Sequence, residues 1–236
     1  MSGERAIAVG QAGSIFVREG SGAWQAASSG TPERLFGVDF NAGGVAAAVG
    51  SFGKILRSAD GGRTWASVAP AWPDGGYTEQ GLEPHLYAVA VAADGTMTCA
   101  GEFGLVLRSN DAGATWHVLH KGEASLFALD LRADGIGYAV GQGGTILRTT
   151  DGGATWTDVP SGSRANLLGV HSAADGFVVV TAMRDLLVSD DGLAWRRVEG
   201  GDFGSAWYSD VVTTGSGASA AALIVGHSGR IVRIGR

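Results

Sequence analysis

A chain of 236 residues with 45% hydrophobic and 17% charged side chains, 40 glycines and five prolines is too apolar for disorder and has no collagen-like period. It is long enough for one large all-β domain with a substantial core, and its glycine content suits many short strands and tight turns. The net charge of −6, with no block of like charges, excludes general affinity for nucleic acid or an anionic membrane, both of which need a basic surface.

One cysteine, Cys99, rules out an internal disulfide and leaves no cysteine-based metal cluster. In "TMTCAGEFG" it stands where other copies of the same motif carry alanine, so a small buried strand residue is expected. The opening "MSGERAIAVG" has no apolar run of signal-peptide length, and no stretch could span a bilayer without interruption by glycine or charge. The expectation is a soluble cytoplasmic protein with no membrane insertion, no cofactor and no metal.

In chain order, "AVGQAGSIFVRE" (8–19) is followed by "AVGSFGKILRSA" (48–59), "CAGEFGLVLRSN" (99–110) and "AVGQGGTILRTT" (139–150), then by weaker copies at 180–190 and 224–235. Trp24, Trp65, Trp116, Trp156 and Trp195 mark the same repeat at steps of 41, 51, 40 and 39 residues. A period near 40 is that of a four-stranded propeller blade. One unit reads "LFALDLR" (126–132), "IGYAVGQ" (136–142), "TILRTTD" (145–151) and "TWTDVPS" (155–161), four β-forming runs divided by Gly and Asp turns and called strands A to D. No window has a helical period. The predicted fold is all-β, a single six-bladed β-propeller over 1–236 whose blades cover one another's apolar faces. The first blade has sequence for strands B, C and D only, and the last for A, B and C. That count leaves two three-stranded blades, so either residues 1–5 and a connection act as a poor strand or an exposed edge pairs with a second copy in a homodimer.

The C–D turn carries its own signature in "RSADGGRTW" (57–65), "RSNDAGATW" (108–116) and "RTTDGGATW" (148–156). The pattern S-x-D-x-G-x-T-W is the Asp-box, or BNR, repeat. The fuller string "AVGQGGTILRTTDGGATW" resembles the photosystem II stability/assembly factor family, strongly in three repeats and weakly in the rest. That resemblance implies a β-propeller acting as an assembly scaffold rather than an enzyme. Physically, Asp60, Asp111 and Asp151 are suited to accept turn amides, Gly62, Gly113 and Gly153 to supply unusual backbone angles, and each following tryptophan to bury area between blades. The copies "REGSGAW" (18–24), without its aspartate, and "SDDGLAW" (189–195), one residue shorter, are expected to be looser. Arg18, Arg57, Arg108, Arg148 and Arg233 recur by blade and are read as scaffold, pairing with carboxylates or backbone of a neighbour.

Opposite the C–D turns lie the B–C turns and D–A connections, where the repeats diverge. The B–C position carries Gln11, Ser51, Glu102, Gln142, Met183 and His227. The one long connection, "PAWPDGGYTEQGLEPH" (70–85), offers Trp72 and Tyr77 as stacking surface and Glu79, Glu83 and His85 as titratable groups. A second, "EGGDFGSAWYS" (199–209), adds Asp202, Phe203 and Trp207. Arg34, Arg164 and Arg184 fall on the same side and have the chemistry to clamp a carboxylate or phosphate. His117 and His120 are spaced against sharing one metal, and His171 belongs on or just after a strand A.

Two functions follow. The first is a non-catalytic binding or assembly module that presents the 70–85 loop, the 199–209 connection and the B–C turns to a protein or peptide partner. The second is an enzyme of glycoside hydrolase or lyase/cyclase type on the same face, acting on a small molecule. There Glu102 or Glu83 would be the acid/base, His227 or His85 its partner, and Trp72 or Trp207 a platform.

Overall fold

A computed structural model of the chain describes residues 5–72, 83–200, 203–215 and 217–236. The chain divides into two compact units, residues 1–121 and 122–236. The first unit holds three antiparallel sheets in chain order: β1 (Arg5–Val9), β2 (Ile15–Glu19) and β3 (Gln25–Ala27); then β4 (Leu35–Phe40), β5 (Ala46–Gly50), β6 (Ile55–Ser58) and β7 (Ala66–Ser67); then β8 (Leu86–Val91), β9 (Met97–Gly101), β10 (Val106–Ser109) and β11 (His117–His120). The second unit repeats the plan with β12 (Leu126–Leu131), β13 (Gly137–Gly141), β14 (Ile146–Thr149) and β15 (Thr157–Asp158); β16 (Leu167–Ser172), β17 (Val178–Ala182), β18 (Asp185–Ser189) and β19 (Arg196–Arg197); and β20 (Tyr208–Thr214), β21 (Ala221–Gly226) and β22 (Ile231–Gly235). Among the described residues the two terminal sheets have three strands each, in line with the repeat count.

Each sheet is a meander whose second strand is its most enclosed. Every residue of β5, β9, β13 and β17 is buried, so these strands are apolar on both faces and small where neighbours approach, as in "AAAVG". Cys99 is one of these residues, fully enclosed, and burial pushes its thiol well above the usual range. One strand A position ties a sheet to the next within a unit. Asp39 Oδ2 accepts the Val91 N–H at 2.8 Å, and Asp130 Oδ2 accepts the Ser172 N–H at 2.7 Å. At the same position His171 Nδ1 meets the Thr213 hydroxyl at 2.8 Å.

The Asp-box turns are closed staples. Asp60 Oδ1 accepts the N–H groups of Arg63 and Thr64, and its Oδ2 accepts the Thr64 hydroxyl at 2.6 Å; Asp111 and Asp151 hold Thr115 and Thr155 in the same way. Gly62 has φ +91°, and its N–H donates to Ser58 Oγ at 2.8 Å. These bonds stabilise the ionised carboxylate, which holds Asp111 and Asp151 down to about 2, with the Thr115 and Thr155 hydroxyls as the largest cause. The shorter copy is less depleted than its sequence suggests: Asp191 still accepts the N–H groups of Leu193 and Ala194, and only the threonine hydroxyl bond is gone.

Trp24, in the copy without its aspartate, is exposed and lies beneath the guanidinium of Arg18 at 5.0 Å. The Nε atoms of Arg18, Arg57, Arg108 and Arg148 are buried without a hydrogen-bond partner, while the Arg108 charge helps to lower the Asp94 carboxyl. Their stems pack into the sheet, and for Arg18 an aromatic face takes the place of an acid.

Candidate binding face

Antiparallel order puts the B–C turn and the D–A connection at one end of every sheet. The second residue of the B–C turn is left-handed in all six copies: Ala12, Phe52, Phe103, Gly143, Arg184 and Ser228, with φ between +51° and +64°. Glycine takes this conformation freely, whereas another residue costs about 1–2 kcal/mol. Only one copy uses glycine, so Phe52, Phe103 and Arg184 hold large side chains at strained positions.

The start of strand A contributes a second device. Register slips by one residue between Leu35 and Gly37 and between Leu86 and Ala88, which makes Phe36 and Tyr87 the bulged residues of their strands. A bulge re-aims its side chain. In the first unit the two devices converge on one aromatic shelf. The ring of Phe36 lies 5.3 Å from that of Tyr87 and 6.1 Å from that of His85, and Phe52 meets His85 edge-on at 5.0 Å. Arg34, exposed, places its guanidinium 5.1 Å over Phe36. Trp72 lies against Gly53, so closely that any side chain at that glycine would overlap the indole.

Polar groups under the shelf are already paired. Glu102 Oε2 accepts the backbone N–H of His85 at 2.8 Å, and its Oε1 accepts the Tyr87 hydroxyl at 3.3 Å. Burial and the Glu102 charge together push the Tyr87 phenol up to about 12. The N–H of Phe52 donates to His85 Nδ1 at 3.0 Å, so the proton of the neutral ring sits on Nε2. Glu102 thus reaches the backbone of His85 and not its imidazole, so this one of the Glu–His combinations offered by the sequence is not joined side chain to side chain. Glu83 is half-buried two residues ahead of His85. Tyr77 and Glu79 lie outside the described residues, as does Asp202.

In the second unit, Trp207 and His227 stack at 5.3 Å with their planes 29° apart. The N–H of His227 donates to the Trp207 carbonyl at 3.1 Å, and Met183 pairs with Trp207 as an antiparallel bridge. Met183 and Trp207 are each 46% exposed and line a groove of about 260 Å³ with Arg184, Ser205 and Ala206. The turn is braced from behind. Asp185, buried, is held by Arg197 at 2.8 Å and by the Ser163 hydroxyl at 2.7 Å.

The remaining predicted residues divide clearly. Gln11, Gln142 and Arg164 are exposed on their turns and connections, and the Gln142 N–H donates to the Ser125 carbonyl at 2.8 Å. Phe203 is not a surface platform: it is buried with its ring 5.3 Å from Tyr208, in the core of the last two sheets, because the connection folds inward at that point. Among the described residues no group of acidic, histidine and cysteine side chains is placed to hold a metal ion, and no helix is long and apolar enough to cross a membrane.

No family model matches the chain, and no curated protein matches it. Solved structures do. The structure described as YCF48 bound to D1 peptide is similar with a TM-score of 0.72 at 18% identity, over 97% of this chain and 74% of that one. The chain has the YCF48 fold. YCF48 from Cyanidioschyzon merolae gives a TM-score of 0.64 at 21% identity, over 88% of this chain and 69% of that one. Together with the six antiparallel sheets, the YCF48 likeness makes the fold class a β-propeller, as the repeat predicted.

Sequence reasoning named Arg34, Trp72, His85 and Glu102 but passed over Phe36, Phe52 and Tyr87, which make up most of the shelf. Their signal was present: "RLFGVDF" and "HLYAVAV" each put an aromatic directly after the leucine that opens strand A, out of step with the alternation that follows.

Proposed function

We propose that the chain is a non-catalytic binding module that takes a peptide segment of a protein partner on the B–C and D–A side of its first unit. The observation that carries this reading is the state of Glu102. Each of its oxygens accepts a structural hydrogen bond, from the His85 N–H and the Tyr87 hydroxyl, beneath rings that are themselves partly open to solvent. A catalytic carboxyl needs a free oxygen aimed at substrate, whereas a docking surface needs rigid aromatic anchors with the polar groups behind them satisfied. Phe52, 38% exposed and held in a strained conformation, suits the second role. YCF48 in complex with a D1 peptide supports the reading by analogy of fold.

The test is fluorescence anisotropy of the full chain against a fluorescein-labelled library of short peptides, read for the parent, Arg34→Ala and Phe36→Ala. Saturable binding to some library members, weakened roughly tenfold or more by either substitution, is expected. Binding indifferent to both substitutions, or no binding at all, contradicts it.

A further inference from the structure

The groove of the second unit has the dimensions and chemistry of a side-chain pocket. At about 260 Å³ it lies below the usual range for a drug-sized ligand and has room for one large side chain. Its walls are Met183, adaptable and polarisable, and Trp207, whose ring is backed by His227 and therefore held in place. Beside them stands Arg184. The adjacent carboxylate, Asp185, is engaged by Arg197, Ser163 and the Leu186 N–H, and among the described residues Arg184 forms no ion pair. The backbone at Arg184 is left-handed, and its N–H is fixed by the Ala206 carbonyl at 2.9 Å, so the side chain springs from a rigid point on the groove's rim.

We infer that this groove receives an aromatic side chain of a bound peptide, between Met183 and Trp207, with an adjacent acidic residue of that peptide paired to Arg184. Charge complementarity selects the neighbour, and the sulfur and indole walls select the ring. This rests on the peptide-binding reading and adds a sequence preference for a segment bound at the second unit.

The chain has three methionines, and Met183 is assigned by the signal that disappears in Met183→Leu. With 13C-methyl methionine in the full chain, N-acetyl-Phe-Asp-amide is titrated beside the Ala-Asp and Phe-Asn analogues and free phenylacetate. The Phe-Asp peptide is expected to shift the Met183 methyl saturably through its ring current. The Phe-Asn analogue should bind roughly tenfold more weakly, and the Ala-Asp analogue should leave the signal unmoved. Trp207→Ala should abolish the shift. Arg184→Asn, which tolerates the same backbone conformation, should erase the difference between Asp and Asn. A Met183 signal unmoved by Phe-Asp overturns the groove. If library peptides still bind the shelf, the wider reading stands; if no peptide binds anywhere, both fall. Phenylacetate binding as tightly as the peptide would also overturn the inference, in favour of a small aromatic acid.

Discussion

The backbone N–H of His85 donates to Glu102 Oε2 at 2.8 Å, joining the end of the long connection to the B–C turn of the same sheet. The bond fixes where the His85 ring stands, and through it Phe52, whose N–H closes on the other side of that ring. Glu102, which sequence patterning offers as an acid or base, is hydrogen-bonded in the fold to two residues of an aromatic shelf.

Tyr87 should report that pairing. It is expected to titrate late, near 12 in a spectrophotometric titration. Burial is the larger cause, so Glu102→Gln should bring the late phase only part of the way back toward 10. A folded-state value above the unfolded one also means that the stability gained from the neutral phenol is complete below 10 and lost as the pH rises toward 12.

The Asp boxes impose the opposite dependence. Asp111 and Asp151 are held at about 2 against an ordinary 3.8, so their contribution is fully present above 3.8 and lost as the pH falls toward 2. Thermal melts from neutral to acid pH should show a decline in that window, shallower in Asp151→Asn. At neutral pH, Asp151→Ala should lower the Tm by a few degrees, since four bonds to Thr149, Ala154 and Thr155 go with it. A melt unchanged by Asp151→Ala would remove the stapling role.

Phe52 is predicted to trade stability for function. Asparagine accepts the left-handed backbone more readily than phenylalanine. Phe52→Asn should therefore leave the Tm within roughly 2 °C of the parent while weakening peptide binding. A large drop in Tm would mean that the ring is structural.

Behind the second-unit turn, Asp185 and Arg197 form a two-point pair with the acid buried and the guanidinium largely exposed. Arg197→Met should cost about 2–3 kcal/mol in denaturant unfolding, most of it from leaving a buried carboxylate without its partner. Asp185→Asn with Arg197→Met should recover part of that, which a double-mutant cycle reads directly.

The architecture was legible because it is written in repetition. Glycine and aspartate at fixed offsets force turns, and the β-forming runs between them can only be strands, so the sheets, the three-stranded terminal sheets and the staples follow from sequence. The shelf was less legible. Phe36 and Tyr87 owe their direction to a one-residue register slip, and Phe52 to a turn whose φ is positive even without glycine; neither departure is visible to a reading that assumes regular alternation. Phe203 failed for the converse reason. An aromatic in a loop-like string reads as surface, and only the fold shows that Tyr208 and its neighbours leave a place for it inside.

The most direct test of the central claim is isothermal titration of the tightest library peptide into the parent chain and into Phe52→Asn and Phe36→Ala. The account predicts saturable binding to the parent, weakened roughly tenfold or more by each substitution without loss of fold. Unaltered affinity in both variants would contradict it and place the binding surface elsewhere on the chain.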